Sequence, residues 1–427
     1  MSNTIKKNFK FIDLFAGIGG FHQAMRRLGG KCVFACEKDE KCKEMYNHNY
    51  NKDNKIIIHD DIRTVIPEEI PEFDVLCGGF PCQPFSKAGK QQGFQDKGRG
   101  DLFYKILPII DAHPEIKFII LENVRNLADN EANWNVIKTE LMQREFYITQ
   151  EPIILSPHEF GIPQKRERVY ILGVKKEYRD NSILTNGYIH IEDLDIEKNK
   201  KKCPNNSLPL ILDQNVNDKY NLSDDKVKVM NQWNDFKLGL GMPGYKHPIW
   251  LNCFGVNLKN TELFKKKSGY YDMPEWKKSF FDYNRQFYLE HKEFIDKWIE
   301  EYHIMSDRNK LYRKFEWNCG ADCDEIKDGI IQIRQSGIRV KRPNYFPSLV
   351  AMNNTPIIWD NRKHKYRYIT PHEASKLQSF DDDIEFIGTD ADAYKQLGNS
   401  VNVDIIEMLA KKLFRLGMWR KEYVKKN

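Results

Sequence analysis

Up to residue 175 the chain keeps returning to short apolar runs, at 9–15, 32–36, 56–58, 73–77, 117–121, 148–155 and 169–174. Several of the stretches between them, 20–28, 39–50, 102–112 and 134–144, carry apolar residues at helical spacing. Strands separated by helices cannot pair as tight hairpins. Each return is a crossover, and the product is an α/β fold, a mostly parallel sheet with helices on both faces. In such sheets ligands bind beyond the carboxyl ends of the strands. The residues just after each apolar run are therefore the first place to look for chemistry.

The pattern changes after about residue 176. From 176 to about 335 the chain is rich in Asn, Lys, Asp and aromatic residues, with charge runs at Glu197-Lys198-Asn199-Lys200-Lys201-Lys202 and Lys265-Lys266-Lys267. A helical pattern spans 276–302, and others return at 371–379 and 391–416. This middle region reads as a separate, irregular domain. With 41% hydrophobic and 30% charged residues, the chain has the composition of a globular protein and not of a disordered one. No apolar run approaches the roughly 18 residues of a membrane helix. The polar, basic residues 1–10 lead into a strand and do not read as a secretory leader. Nine cysteines, an odd number, argue against a disulfide framework and for a reducing cytoplasm. A net charge of +6 is compatible with a polyanionic partner without demanding one.

Five constellations stand at or near predicted element ends. Asp13-Leu14-Phe15-Ala16-Gly17-Ile18-Gly19-Gly20 takes a strand through a glycine-rich turn into a helix, where a backbone can approach a ligand closely. Its spacing is not the Gly-x-Gly-x-x-Gly of dinucleotide enzymes. Glu37 follows the second run, a position from which a carboxylate can accept ribose hydroxyls. Gly79-Phe80-Pro81-Cys82-Gln83 puts a thiol on a polar turn, followed by a glycine-rich stretch, 86–100, of the kind that closes over a substrate. Glu122-Asn123-Val124 ends another run, and Gln164-Lys165-Arg166-Glu167-Arg168 leads into the last one, with Arg166 and Arg168 on one side of an extended chain. Tyr394-Lys395-Gln396-Leu397-Gly398-Asn399-Ser400-Val401 opens a C-terminal helix, where Asn and Ser also serve as ordinary N-caps. Cys319 and Cys323 are four apart, but no second His/Cys pair completes a zinc site, so no metal is expected.

Taken together and in order, these motifs resemble those of the (cytosine-5)-methyltransferase family, in particular its single-chain bacterial modification enzymes. Tyr368-Ile369-Thr370-Pro371-His372-Glu373-Ala374 resembles a further motif of that family. The likeness covers roughly 9–175 and 335–415. It implies a Rossmann-like methyltransferase fold, with a catalytic domain at 1–190 completed by 385–427 and a target-recognition domain at 191–384. It implies Cys82 as the nucleophile at cytosine C6, Glu122 as the acid at N3, Arg168 on the base O2, and Arg166 orienting a loop or a phosphate. S-adenosylmethionine is the implied cofactor, held by Phe15, Gly17, Gly19, Gly20, Glu37, Asp61, Pro81, Leu102, Asn399, Ser400 and Val401. Lys38 stands where some relatives carry an aromatic over the adenine. The implied partners are double-stranded DNA and a cognate restriction endonuclease, the chain itself acting as a monomer. Enzymes that methylate tRNA cytosine share these catalytic motifs; the size of the middle region favours DNA.

Overall fold

The first apolar run becomes β1 (Phe9–Leu14), the centre of the larger of two main sheets, buried at every position but Lys10. The computed structural model describes residues 8–81, 102–180, 184, 187–242, 244–254, 265–266, 269–304, 310–350 and 354–417. They belong to two units, one comprising 1–204, 347–353 and 371–427 and the other 205–346 and 354–370.

In the first unit β1 is followed by α1 (Gly20–Arg27), β2 (Gly30–Cys36), α2 (Glu40–Tyr50), β3 (Ile57–His59) and β4 (Val75–Gly78). Then come α3 (Ile106–Ala112), β5 (Phe118–Val124), α4 (Glu131–Gln143), β6 (Phe146–Ile148), β7 (Ile153–Leu155), the two-residue β8 (Gln164–Lys165) and β9 (Arg168–Lys175). The sheet order is β3-β2-β1-β4-β5-β9-β6, with β7 also paired to β9. Strands β3, β2, β1, β4 and β5 are mutually parallel, whereas β9 runs antiparallel to β5, β6 and β7. This is the mostly parallel α/β sheet that the sequence implies. The run at 148–155 is the exception, because it forms two short strands and not one. Pro152 offers no N–H to a ladder, and the chain breaks at 149–152, so β6 and β7 pair with opposite ends of β9.

Alternation along the central strands gives the sheet two apolar faces. Ile12, Leu14, Leu76, Ile119 and Leu121 pack with α3 and α4 through Ile106, Ile110, Trp134 and Ile137. On the other face lie Phe9 and Phe118.

In the second unit α5 (Asp224–Leu240), β10 (Ile249–Trp250), α6 (Glu275–Glu290) and α7 (Lys292–Tyr302) precede β11 (Lys314–Asn318), β12 (Ile330–Arg334), β13 (Gly337–Lys341), β14 (Ile357–Asp360) and β15 (Lys365–Tyr368). These strands make a six-stranded sheet of order β10-β11-β13-β12-β14-β15. The helical pattern at 276–302 is two helices separated at His291. Its aromatics serve a core: Trp233 stacks on Phe315 at 4.7 Å and meets Trp298 at 5.3 Å.

The chain then rejoins the first unit as α8 (Pro371–Leu377), α9 (Asp390–Asn399) and α10 (Val403–Leu416). The helical pattern at 391–416 is therefore interrupted, at 400–402, and Asn402 caps α10 by accepting from the Ile405 N–H at 3.1 Å. Phe414 of α10 covers the second face of the sheet, 5.3 Å from Phe9 and 4.8 Å from Phe118.

Arg27 at the end of α1 clamps this returning segment. Its guanidinium meets Asp381 at 2.5 Å, Asp404 at 2.7 Å and Glu407 at 3.3 Å, and donates to the Ser379 carbonyl at 2.9 Å. Replacing Arg27 by Met removes the cation shared by Asp381, Asp404 and Glu407, leaving Asp381 to Arg26 and Glu407 to Lys411. The group is only partly buried, so the expected cost is about 2 kcal/mol, below the range for fully buried pairs, and urea unfolding of the variant should show a lower midpoint.

Candidate active site

Because β1 to β5 are parallel, their carboxyl ends all open on one edge, and antiparallel β9 begins there. Val124 pairs with Arg168 and Glu122 with Tyr170, so the arginine motif ends beside the acidic motif. The Arg168 Nε lies 3.0 Å from the Glu122 Oε1. Glu122 is 8% exposed. Burial pushes its carboxyl above the usual carboxylate range, and the charges of Arg168 and Arg166 offset this only in part.

One strand over, β4 runs into Gly79-Phe80-Pro81. A Cβ on Gly79 would sit 3.8 Å from Glu122 Oε2, 3.7 Å from Phe21 and 3.9 Å from Val401. Phe80 is buried and packs 5.7 Å from Phe103. Asn123, 1% exposed, donates from Nδ2 to the Phe80 carbonyl at 3.2 Å and accepts the Val124 N–H at 2.8 Å. It ties the segment entering position 82 to the strand that carries Glu122. Cys82 itself, and the loop at 86–100, lie outside the described residues.

The glycine-rich turn after β1 is built on left-handed backbone: φ is 58° at Phe15, 55° at Gly17 and 83° at Gly19. Phe15 pays steric strain there, since only glycine takes such angles freely. Gly19 is required twice over, by its φ and by the Tyr50 ring 2.2 Å from where a Cβ would stand. Gly20 backs directly on Val401, 2.7 Å from the same virtual atom, and on the Ser400 Oγ at 3.0 Å. Gly17 faces open space, with nothing within 4 Å of an added Cβ. Its N–H donates to Glu37 Oε2 at 2.7 Å, and the Asp39 N–H donates to Oε1 at 2.7 Å. Burial raises the Glu37 pKa, and these backbone donors oppose the rise. The Lys38 N–H is directed at the same carboxylate, which still leaves it lone-pair capacity for a hydroxyl donor.

The remaining expected contacts are placed unevenly. Pro81 is half-buried and Leu102 packs against the core beside α3. Ser400 and Val401 are buried, whereas Asn399 is exposed at the end of α9. Asp61 is already engaged: its Oδ2 meets Arg63 at 2.5 Å and Lys38 at 3.0 Å, and its Oδ1 accepts the Arg63 N–H at 3.1 Å. The hydrogen-bonded Arg63 guanidinium holds its carboxyl well below the usual range. An adenine amino group would have to displace Lys38 from this cluster. Arg166 is 4% exposed and bonds protein carbonyls, those of Leu349 at 3.0 Å and Ser400 at 2.8 Å. Of the residues the sequence reading did not assign, Asn123 is flagged by its place between Glu122 and Val124. Tyr50 and Gln378, which donates to the Leu397 carbonyl at 2.9 Å, carry no sequence signal.

A Rossmann-like sheet thus carries, at one edge, a glycine turn, a carboxylate bonded to that turn and a buried Glu–Arg pair. A family model described as C-5 cytosine-specific DNA methylase matches residues 9–415, and the chain belongs to that family. It is a DNA (cytosine-5) methyltransferase. It is 30% identical over 487 aligned positions to the type II methyltransferase M.AluI of Cellulosimicrobium cellulans, covering 95% of this chain and 92% of that one. The type II methyltransferase M.BanI of Aneurinibacillus aneurinilyticus is 30% identical over 95% of this chain and 96% of its own. In fold, the chain is similar to the DNMT2 of Spodoptera frugiperda, with a TM-score of 0.56 at 17% identity over 95% and 99% of the two chains.

Asn123→Asp separates the two bonds of that side chain. The carboxylate still accepts from Val124 but cannot donate to Phe80. Burial raises the pKa of the new acid, and only its protonated form donates. Methylation by the variant, relative to the parent protein, should therefore rise as pH falls from about 8 to about 6, and a constant ratio across that range would refute the assignment.

Proposed function

We propose that this chain takes a methyl group from S-adenosylmethionine and places it on C5 of a cytosine flipped out of double-stranded DNA, as the modification half of a type II restriction–modification pair. The observation that carries this reading is the buried Glu122–Arg168 pair one strand away from Gly79-Phe80-Pro81, the segment that leads into Cys82.

Cytosine C5 is too weak a nucleophile to take a methyl group unaided. The Cys82 thiolate adds to C6, breaking the C5–C6 double bond and pushing electron density toward N3, where Glu122 gives its proton. Arg168 holds the O2 of the same ring. The electron-rich C5 then takes the methyl group, a base removes the C5 proton, and the double bond re-forms as Cys82 departs and N3 returns its proton to Glu122. Bound S-adenosylmethionine supplies a methyl group made electrophilic by a positively charged sulfur. The chain's own part is to hold that group. Gly17 opens toward it and Glu37 keeps lone pairs for ribose hydroxyls, so the residues fit a nucleoside of this kind. Phe15 would help to hold the positively charged sulfur. Gly19 and Gly20 allow the turn to come close. Pro81, Leu102 and Asp61 would hold the adenine, Asp61 only by giving up Lys38, and Asn399, Ser400 and Val401 would complete the site.

Ring attack at C6 requires the base to leave the stack, at a cost of a few kcal/mol. The unit formed by 205–346 and 354–370 reads the surrounding sequence, and the chain works as a monomer in the cytoplasm beside a cognate endonuclease. Among the described residues no helix is long and apolar enough to cross a membrane.

Duplex DNA with 5-fluorocytosine at the target has no C5 proton to lose, so the adduct should be trapped as a denaturation-resistant complex. Cys82→Ala should abolish both trapping and methylation; a Cys82→Ala protein that still methylates cytosine would overturn the mechanism, and methylation of tRNA in preference to duplex DNA would overturn the substrate. Glu122→Gln should lower the methyl-transfer rate by about 10²- to 10⁴-fold while DNA binding persists. The raised Glu122 pKa implies that the acid form is lost as pH climbs through it, so the alkaline limb of the rate profile should vanish in this variant.

A further inference from the structure

We infer that Arg166 is a positioning residue for cofactor binding and makes no contact with DNA phosphate; the inference rests on the cofactor reading above. Its side chain is 4% exposed. Its backbone N–H donates to the Ser156 Oγ at 2.9 Å, which anchors the turn before β9. At the far end Nη1 donates to the Leu349 carbonyl at 3.0 Å and to the Ser348 Oγ at 3.3 Å, and Nη2 donates to the Ser400 carbonyl at 2.8 Å. One planar fork thus joins three segments remote in sequence, all within the first unit.

The Ser400 end matters most. Ser400 and Val401 press on the backbone of Gly20, where a Cβ would come within 2.7 Å of the Val401 side chain and 3.2 Å of its carbonyl. Val401 also lies 3.9 Å from the virtual Cβ of Gly79. The 400–401 wall is therefore wedged between the glycine turn and the loop after β4. Gln378 supports the same Ser400 carbonyl at 3.4 Å, a longer and weaker bond than that from Arg166. Two residues along the chain from Arg166, Arg168 faces Glu122. Arg166 couples the strand that carries the base-binding pair to the wall that sets the width of the cofactor cleft. Its charge also lowers the Glu122 pKa against the larger effect of burial, so a test has to hold charge constant while changing shape.

Arg166→Lys does this, since a lysine keeps the charge but cannot span three acceptors in a fork. Calorimetric binding of S-adenosylhomocysteine should weaken by about tenfold, while the slope of log DNA affinity against log salt stays that of the parent. Phe414→Leu, which loosens the packing of α10 on the sheet, supplies the control for destabilisation alone and should leave cofactor affinity unchanged at a matched loss of thermal stability. Unchanged cofactor affinity in Arg166→Lys, or a salt slope reduced by about one as expected for a lost phosphate contact, overturns the inference. Failure of the parent protein to bind S-adenosylhomocysteine overturns the cofactor reading itself. Should Arg166→Lys not fold, Gln378→Met, which strips the second donor from the Ser400 carbonyl, reads the same wall: a weaker cofactor supports the coupling, and no change refutes it.

Discussion

Antiparallel pairing of β9 with β5 sets Val124 opposite Arg168 over seven paired positions, and most of the site's geometry follows from that register. Parallel strands alone would bring only carboxyl ends to the edge, and the arginine motif precedes its strand. Reversing the last strand carries the start of β9 to the same edge as the end of β5. A slip of one residue would turn Glu122 and Arg168 to opposite faces. The buried apolar residues on both strands, Ile119 to Leu121 and Val169 to Leu172, make such a slip costly because it would expose or bury the wrong set.

Around this pair the structure is organised as a series of close backbone approaches. Gly19 against Tyr50, Gly20 against Val401 and Gly79 near Glu122 each place main chain where a side chain would otherwise stand. Their effect is to bring the turn after β1, the loop after β4 and the wall at 400–401 within van der Waals reach of one another. Arg27 and Arg166 then hold the returning C-terminal segment to this assembly, the first at the rim through carboxylates and the second in the interior through carbonyls. The first unit is discontinuous in sequence, and the bonds of these two arginines are among those that close it.

Much of this was legible in the chain before folding. The alternation of apolar runs and helical spacings specifies the parallel sheet, since a crossover is the only way for successive strands separated by helices to pair. The motifs at strand ends mark the catalytic edge for the same reason. Of the three patterns that the fold splits, two show why periodicity misleads. Pro152 divides 148–155, and Ser400-Val401-Asn402 interrupts what reads as one helix at 391–416. In both cases the local pattern is apolar enough to continue, and a missing N–H in the first and a side-chain cap in the second stop it.

By itself the sequence determined the fold class, the family and the residue types that meet at the edge, because these depend on period, chain order and motif spacing. Tertiary structure alone decided what each of those residues is committed to. Arg166 and Arg168 share one motif and stand two positions apart, yet one faces a buried carboxyl and the other binds main-chain carbonyls from segments about 180 and 230 residues away. Asp61, a cofactor contact by resemblance, is an engaged ion-pair partner in the fold. Asn123 looks like a companion of Glu122 and proves to be the tie to Phe80. Hydrogen-bond partners of this kind are set by which distant backbone groups are brought alongside, and no local pattern encodes that.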